Sequence, residues 1–322
     1  MRKRVEVVPG PVDFHCDALC KLLTEKDAVY AGGDANQTIL DVTRERLAEA
    51  GAGLQVFAIY IPEEMNGDLK PVFRSVDLFY RHIAAAPGTV FVRNRGDLAR
   101  ADASGRLGAM LSLEGVDGLQ GDLGMLRILY YLGLRAVGIT WNHANWAADG
   151  VLEPRQGGLT RQGKALVREC GELGLLLDVS HLAEKGFWEV ADMTVKPIVA
   201  SHANAKSVCS HPRNLTDDQI RAIIAQDGRI GITFVPWFLR SDGPARIDDV
   251  IRHVEHVCSL GGERQVMFGS DYDGIDTHVE GLRSPADAAR LREALLKRYS
   301  EVQTDGFLRG NAWRFLSTHL PD

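Results

Sequence analysis

The segment TRQGKALVRECGELGLLLDVSH, residues 160–181, contains one complete helix–strand unit of the fold. Thr160 is a residue type that caps helix N termini, and the amphipathic stretch 163–173 after it predicts a helix. The short apolar run 175–179 predicts a strand that is buried on both faces, as in a parallel sheet. His181 follows directly, so this unit places an imidazole at the carboxyl end of a buried strand.

Apolar runs of strand length recur along the whole chain and alternate with longer stretches of helical period. The eight predicted strands are residues 12–16, 54–61, 107–113, 136–140, 175–179, 198–200, 230–235 and 266–269. Helices are predicted at residues 44–50, 75–86, 163–173, 220–225 (after a capping box at 216–219), 247–260 and 285–299, with a closing helix at 305–319. This alternation predicts an α/β fold, a closed (β/α)8 or TIM barrel, and we expect residues 1–322 to form a single domain.

The composition excludes several classes of partner. The chain has 322 residues, of which 45% are hydrophobic, and its net charge is −6, so we expect neither nucleic acid nor an anionic membrane as a partner. Its five cysteines are odd in number and scattered, which predicts no disulfide framework and favours a reducing compartment. Residues 1–10 carry no apolar run and no stretch reaches the ~18–20 apolar residues that span a bilayer, so we expect a soluble, cytoplasmic protein.

Polar residues follow six of the eight predicted strands. They are His15 and Asp17 at the end of the first strand, Glu114 after the third, His143 after the fourth, His181 after the fifth, His202 after the sixth and Asp271 after the eighth. In a barrel of this kind the carboxyl ends of the strands meet at one end, where catalytic groups lie. Taken singly, each residue also has a structural interpretation, such as a hydrogen-bonded core histidine or an ion pair between Glu114 and an arginine.

Five of these side chains are candidate metal ligands. His15 and Asp17 are two residues apart in a strand, so they point the same way and can bind one ion together. Glu114 could bridge two ions with its two oxygens, and His181 and His202 end consecutive strands. Three imidazoles and two carboxylates without a thiolate suit Zn²⁺, Mn²⁺ or Co²⁺ and argue against iron–sulfur or Cu(I). The sequence therefore predicts two divalent ions held by these five residues.

Three further residues are candidates for chemistry beside the ions. We interpret His143 as a group that polarises a substrate carbonyl, with metal ligation as the alternative. Arg213 could hold a substrate carboxylate with its planar guanidinium, and the alternative is a surface arginine. Asp271 could exchange protons with the attacking water and the leaving amine.

Other features are assigned no chemistry. Asp273 is interpreted as a turn residue, and His253 and His256 as a solvated helix face. The Gly-rich stretch 150–158 is either a lid over the site or a plain surface loop. The aromatic stretch 234–238 is expected to form a wall of the pocket.

In the order of its motifs the sequence resembles the membrane (renal) dipeptidase family of amidohydrolase-like metallopeptidases, from about Asp13 to Asn311. The motifs that carry this resemblance are DFHCD (13–17), SLEGV (112–116), TWNHAN (140–145), LDVSHL (177–182), ASHAN (200–204), PRNL (212–215) and GSDYDG (269–274). Cys16 stands where the animal enzymes commonly have Asn. The signal, disulfides and lipid-anchor tail of those enzymes are also absent here, so the chain looks like a soluble microbial member.

The resemblance implies a binuclear zinc site and a role for each candidate residue. His15 and Asp17 would bind one ion, His181 and His202 the other, and Glu114 would bridge them. In the same family pattern His143 polarises the carbonyl, Arg213 binds the substrate carboxylate and Asp271 transfers protons. The implied activity is hydrolysis of free dipeptides, including substrates with a D-residue at the C-terminal position.

The expected reaction is attack on the peptide carbonyl by a hydroxide held between the two ions. One alternative is another metal-dependent amidohydrolase, acting on a cyclic amide, an N-acyl amino acid or a phosphoester, which would share the ions but would not need Arg213. A second alternative is a metal-binding scaffold without catalysis, for which neither His143 nor Asp271 would be needed. The sequence leaves the oligomeric state open, with a homodimer among the candidates.

Overall fold

The computed structural model describes residues 10–33, 38–65 and 67–322. Within these residues nine parallel strands form one sheet: β1 Val12–Asp13, β2 Leu54–Tyr60, β3 Thr89–Phe91, β4 Leu107–Glu114, β5 Leu134–Gly138, β6 Leu176–Asp178, β7 Val199–Ala200, β8 Arg229–Ile232 and β9 Val266–Phe268. Pairing of β2 with β4 and of β9 with β1 closes eight of them into a ring. The fold is a (β/α)8 TIM barrel, as the alternation of strands and helices predicts.

The short strand β3 was not predicted. It pairs with residues 107–109 of β4, while β5 pairs with residues 111–114 of the same strand. It thus borders only the first part of β4 and is not one of the eight strands of the ring. Three residues are too few to produce a recognisable strand pattern, so only the partner strand reveals them.

Helices surround the barrel. They are α1 Ala18–Thr24, α2 Arg44–Glu49, α3 Leu69–Leu78, α4 Arg95–Ser104, α5 Leu123–Tyr131, α6 Arg161–Leu173, α7 Glu184–Met193, α8 Asp217–Ala225, α9 Pro236–Leu239, α10 Ile247–Ser259, α11 Ala288–Leu296, α12 Glu301–Asp305 and α13 Asn311–His319. Both predicted caps form: Thr160 accepts the backbone N–H of Gly163, and Thr216 forms a capping box with Gln219. The predicted helix 305–319 is α13 preceded by a π-helical turn, Gly306–Gly310.

One end of the barrel is closed by α13. Ala312, Phe315 and Leu316 of this helix share one buried cluster with a residue from each of seven barrel strands. Asn311 donates from Nδ2 to the carbonyl of Val266, and Arg229 donates from Nε to the carbonyl of Asn311. Because Val266 and Arg229 are the first residues of their strands, α13 covers the amino-terminal end of the barrel. The carboxyl ends of the strands are left for the candidate site.

Three remaining expectations concern the chain as a whole. All five cysteines have free thiols, in agreement with the prediction of no disulfide framework. No helix among the described residues has the length and apolarity needed to cross a bilayer. Residues 1–9, on which the expectation about a secretory signal depends, lie outside the described residues.

The interpretation of His253 as part of a solvated face is wrong. His253 is fully buried on α10, accepts the N–H of Ala205 at Nδ1 and contacts the carbonyl of Leu239 through Nε2 at 3.1 Å. His256 is partly buried and lies 2.7 Å from a carboxylate oxygen of Asp217. The charged residues around these histidines suggested an exposed face, but the contact with the loop after β7 is long-range and leaves no local pattern.

Candidate metal centre

Five side chains at the carboxyl ends of four strands meet in one buried cluster. They are His15 after β1, Asp17 at the N-cap of α1, Glu114 at the end of β4, His181 after β6 and His202 after β7. No more than 8% of any of these side chains is exposed. The structure therefore brings together the five residues that the sequence proposed as ligands.

The carboxylate of Glu114 lies between two groups of ligand atoms. Its Oε1 atom is 2.8 Å from Nε2 of His181 and 3.5 Å from Nε2 of His202. Its Oε2 atom is 3.4 Å from Nε2 of His15, which in turn is 3.6 Å from a carboxylate oxygen of Asp17. One carboxylate thus faces His181 and His202 with one oxygen and the pair His15–Asp17 with the other.

Two atoms of this cluster are buried polar groups that lack a hydrogen-bond partner among the described residues. They are Nε2 of His15 and Oδ1 of Asp17. A buried polar atom without a partner is costly, and in folded proteins such atoms are rare. A cation would satisfy both, because each atom can offer a lone pair. Two groups of three residues each bring their ligand atoms within 4.8 Å of one another. One group is His15, Glu114 and His202, and the other is His15, Asp17 and Asp271.

Hydrogen bonds orient two of the imidazoles. Nδ1 of His181 is 2.9 Å from the amide oxygen of Asn142, and because this oxygen can only accept, Nδ1 carries the proton. Nε2 of His181 is then a lone-pair atom directed at Glu114 and at Nε2 of His202, which lies 2.8 Å away. Nδ1 of His202 is 2.8 Å from the hydroxyl of Ser201. Such outer partners orient histidine ligands in metal sites.

The charge states of His181, His202 and Glu114 suit a cation. Burial lowers the pKa of His15, but Glu114 and Asp17 outweigh this effect and raise that pKa well above its ordinary value, so His15 must lose a proton when it binds an ion. Burial lowers the pKa of His181 to about 4, with the charge of Arg213 acting in the same direction. Burial also lowers the pKa of His202 well below its ordinary value. Both imidazoles are therefore neutral at pH 7, the form that ligates a metal. Burial would raise the pKa of Glu114, but the neighbouring His15 and His181 hold it well below its ordinary value, so Glu114 is a carboxylate.

Asp271 lies at the edge of this cluster. It follows β9 with φ at +66°, its backbone N–H donates to the carbonyl of His15, and its Oδ1 is 3.7 Å from Nε2 of His15. Burial raises the pKa of Asp271 well above its ordinary range, and the nearby charges of Asp17 and Glu114 add to this increase although His15 opposes it. The carboxyl group therefore takes up a proton more readily than an ordinary aspartate, as suits a proton-transfer residue.

Arg213 is a buried cation beside His181 and His202. The residue is 5% exposed, its guanidinium donates to the carbonyl of His202 at 3.3 Å and its carbon lies 5.4 Å from the centre of the Phe238 ring. Its Nε–H is buried and has no hydrogen-bond partner among the described residues. Arg213 and His181 both line a cavity of about 270 Å³. A charged donor with a free N–H beside a cavity is suited to an anionic group of a ligand.

His143 is not brought into the buried cluster. Its side chain is 56% exposed, and its Nε2 atom lies 3.8 Å from a carboxylate oxygen of Glu63. Strand β5 ends at Gly138, so the loop that carries His143 is irregular and no strand period sets the direction of the side chain. The neighbouring residue Asn142, which the sequence analysis did not single out, reaches His181 instead.

The loop 150–158 packs beside the site. Val151 lines the cavity and donates its backbone N–H to the carbonyl of His181 at 2.7 Å. Asp149 anchors the loop by binding the guanidinium of Arg155 and the N–H of Gly157. The loop is therefore in contact with a candidate ligand.

In the aromatic stretch 234–238, Phe238 contacts Arg213, while Phe234 packs against Phe268 and Tyr272.

A family model for membrane dipeptidase, peptidase family M19, matches residues 3–319. The chain belongs to this family. It is therefore an enzyme, a metallo-dipeptidase, which confirms the resemblance drawn from its motifs and sets aside a scaffold without catalysis. The ion-binding geometry described above is in keeping with the metal dependence of the family.

Individual relatives agree with this assignment. The crystal structure of the dipeptidase AC, a family M19 metallopeptidase, is 27% identical, has a TM-score of 0.90 and covers 98% of this chain and 100% of its own. A metallopeptidase from Rhodobacter sphaeroides, solved with a phosphinate mimic of the dipeptide L-Ala-D-Ala, is 27% identical with a TM-score of 0.87 over 96% of this chain and 99% of its own. Dipeptidase aclJ of Aspergillus oryzae is 29% identical over 97% of this chain and 78% of its own length.

Proposed function

We propose that the chain is a binuclear zinc dipeptidase that hydrolyses the peptide bond of free dipeptides. The observation that carries the proposal is the position of Glu114, whose two oxygens face different pairs of ligand groups. His15 and Asp17 would hold one ion and His181 and His202 the other, with Glu114 shared. Ions bound there would polarise the peptide carbonyl and make water nucleophilic at neutral pH.

Asp271 would move the protons of the reaction. Its carboxyl group borders His15 and Asp17, so it faces the same space as the candidate ligands. With its pKa raised by burial, the group can accept a proton from the attacking water and pass it to the departing amine. In this role Asp271 serves both halves of the reaction without leaving its position after β9.

Arg213 would select free dipeptides by binding their carboxylate. Its buried Nε–H lacks a partner and would gain one from a carboxylate in the adjoining cavity. The same cavity is lined by His181, so a dipeptide whose carboxylate is bound there would have its scissile carbonyl close to the ligand cluster. The Rhodobacter sphaeroides relative binds a mimic of L-Ala-D-Ala, which supports acceptance of a D-residue at the second position here.

His143 would polarise the substrate carbonyl from the loop beyond β5. Its side chain is exposed and close to Glu63, so this role requires the imidazole to turn towards the cluster when substrate binds. The adjacent Asn142 is held against His181, which keeps the loop next to the site while the side chain of His143 remains free to turn.

The experiment that tests the proposal combines a metal measurement with a substrate panel. Purified protein is analysed for bound divalent ions and assayed on dipeptides with L and D forms at each position, together with their C-terminal amides and matching tripeptides. We expect up to two ions per chain and the fastest cleavage of free dipeptides. Equal cleavage of the amides, or hydrolysis of cyclic amides or N-acyl amino acids in preference to dipeptides, would contradict the proposal.

Two wider properties accompany this proposal. The five free thiols suit a reducing compartment, and on that ground we propose a cytoplasmic location. Residues 1–322 would form one domain, because α13 closes the barrel from within the same chain.

A further inference from the structure

The loop after β9 contains two aspartates in an unusual backbone conformation. Asp271 has φ at +66° and Asp273 has φ at +69°. This left-handed region is uncommon for residues with a side chain, so the surrounding contacts must hold such residues in place. Asp271 is the proposed proton carrier, whereas the sequence alone predicts only a turn residue at Asp273.

The carboxylate of Asp273 is fully buried, accepts two backbone hydrogen bonds from one part of the chain and lies beside a lysine from another. It accepts the backbone N–H of Asp41 at 2.7 Å and that of Val42 at 3.0 Å. The ammonium group of Lys21 lies 3.4 Å from the same carboxylate. The hydrogen bonding between Asp41 and Asp273 is reciprocal, because the carboxylate of Asp41 accepts the backbone N–H of Asp273 at 3.2 Å.

Lys21 connects this carboxylate to a candidate ligand. It lies in α1, the helix whose N-cap is Asp17, and its backbone N–H donates to the carbonyl of Asp17. Asp273 is thus attached both to the loop at Asp41 and to α1, the helix that Asp17 caps.

The same loop runs directly against two carboxylates of the cluster. The backbone N–H of Asp17 donates to the carbonyl of Tyr272 at 2.9 Å. A Cβ atom added to Gly274 would lie 2.3 Å from Oδ2 of Asp17 and 2.6 Å from Oδ1 of Asp271. There is no free space between the loop and these oxygens, so a small displacement of the loop would change their separation.

We propose that Asp273 is a positioning residue that sets the separation of the Asp17 and Asp271 carboxylates. Its contacts with Asp41 and Val42 hold the loop in its left-handed conformation, and its ion pair with Lys21 attaches the loop to α1. Asp273 lies two residues beyond Asp271 and acts through the loop and through Lys21. This inference rests on the proposed metal site, and its test reads metal affinity as well as turnover.

The test is Asp273→Asn with a matched control, Asp97→Asn. Asp97 is also buried, accepts a backbone N–H from Arg93 at 3.0 Å and lies beside the cations of Arg93 and Arg100. It belongs to α4, near the end of the barrel that α13 covers. Both changes replace a buried carboxyl acceptor by an amide, so both should lower stability, but only Asp273 lies on the loop that packs against the metal centre.

We expect Asp273→Asn to weaken Zn²⁺ binding about 10- to 100-fold in a competition with a chelator, the usual effect of removing a group that orients ligands. We also expect kcat to fall while KM stays close to that of the wild type, because the substrate carboxylate is bound elsewhere. Asp97→Asn should leave Zn²⁺ affinity and kcat unchanged. Wild-type Zn²⁺ affinity in Asp273→Asn, or an equal loss in both variants, would overturn the inference.

A second variant covers the case in which Asp273→Asn does not fold. Lys21→Met removes the ion pair and leaves the backbone contacts of Asp273, so it should weaken Zn²⁺ binding in the same direction but less. If the Asn variant does not fold, unchanged affinity in Lys21→Met overturns the inference. Failure of the wild type to bind any divalent ion would instead contradict the proposed function.

Discussion

Oε1 of Glu114 lies 2.8 Å from Nε2 of His181, and this contact joins the end of β4 to the loop after β6. The other oxygen of the same carboxylate faces His15. Whatever weakens this one carboxylate should therefore act on both halves of the cluster.

The first prediction is that Glu114→Gln weakens both ion sites at once. The amide keeps the shape but loses the negative charge that two ions would share, so metal content after dialysis should fall well below that of the wild type. In the wild type, prolonged chelation should abolish hydrolysis, and Zn²⁺, Co²⁺ or Mn²⁺ should restore it. Elemental analysis and turnover are the measurements, and a variant that keeps two ions and the full rate would show that Glu114 does not bridge.

The second prediction concerns proton transfer by Asp271. Asp271→Asn keeps the size of the side chain but removes the proton acceptor, so kcat should fall about 10²- to 10⁴-fold. The metal content should be nearly unchanged, because the five proposed ligands are intact. Loss of the ions in this variant would make Asp271 a ligand, as its proximity to His15 and Asp17 also allows.

The third prediction is that Arg213 produces the preference for free dipeptides. Loss of one charge-assisted contact costs roughly 1.5–3 kcal/mol, or about ten- to a hundredfold in kcat/KM. Arg213→Met should therefore slow hydrolysis of free dipeptides by about this factor and leave their C-terminal amides at the wild-type rate. Equal slowing of acids and amides would assign Arg213 a structural role.

The fourth prediction concerns the pH dependence of stability and the buried residue His253. Burial lowers its pKa to about 4, whereas in the unfolded chain an ordinary value of about 6.5 applies. The unfolded state then binds more protons between these values, so stability falls as pH decreases through this range. Lowering the pH from about 7 to about 5 should cost about 2 kcal/mol from this residue.

His253→Gln tests this pH effect because an amide can replace the hydrogen bonds without titrating. Urea unfolding of the metal-free protein at the two pH values is the measurement. The variant should lose less stability than the wild type on acidification. An equal loss in both proteins would mean that His253 does not titrate as its burial indicates.

The barrel and the clustering of the five candidate ligands could be predicted from local sequence patterns. A strand buried on both faces needs a continuous apolar run, and its end is marked by the first polar residue, as in the Ser-His sequences at His181 and His202. Closed-barrel geometry then brings these ends together without further information. The same reasoning located Glu114, which directly ends β4.

Side chains on irregular loops could not be predicted in this way. No repeating backbone geometry orients His143, so its exposed position beside Glu63 appears only in the folded chain. The contact of Asn142 with His181 spans 39 positions of sequence, and that of Asp273 with Asp41 spans 232. Such contacts depend on which loops the barrel brings side by side.

The pattern of apolar runs, helix caps and polar strand ends thus determined the fold, the end of the barrel that carries the candidate site and which residues are its candidate ligands. Tertiary structure decided which atoms of those ligands face one another, which donors remain unpaired and which distant residues hold them. The physical reason is the sequence separation of the interacting residues. Secondary structure and its ends depend on residues that are close along the chain, whereas burial, hydrogen-bond partners and pKa shifts depend on residues that are close only in space.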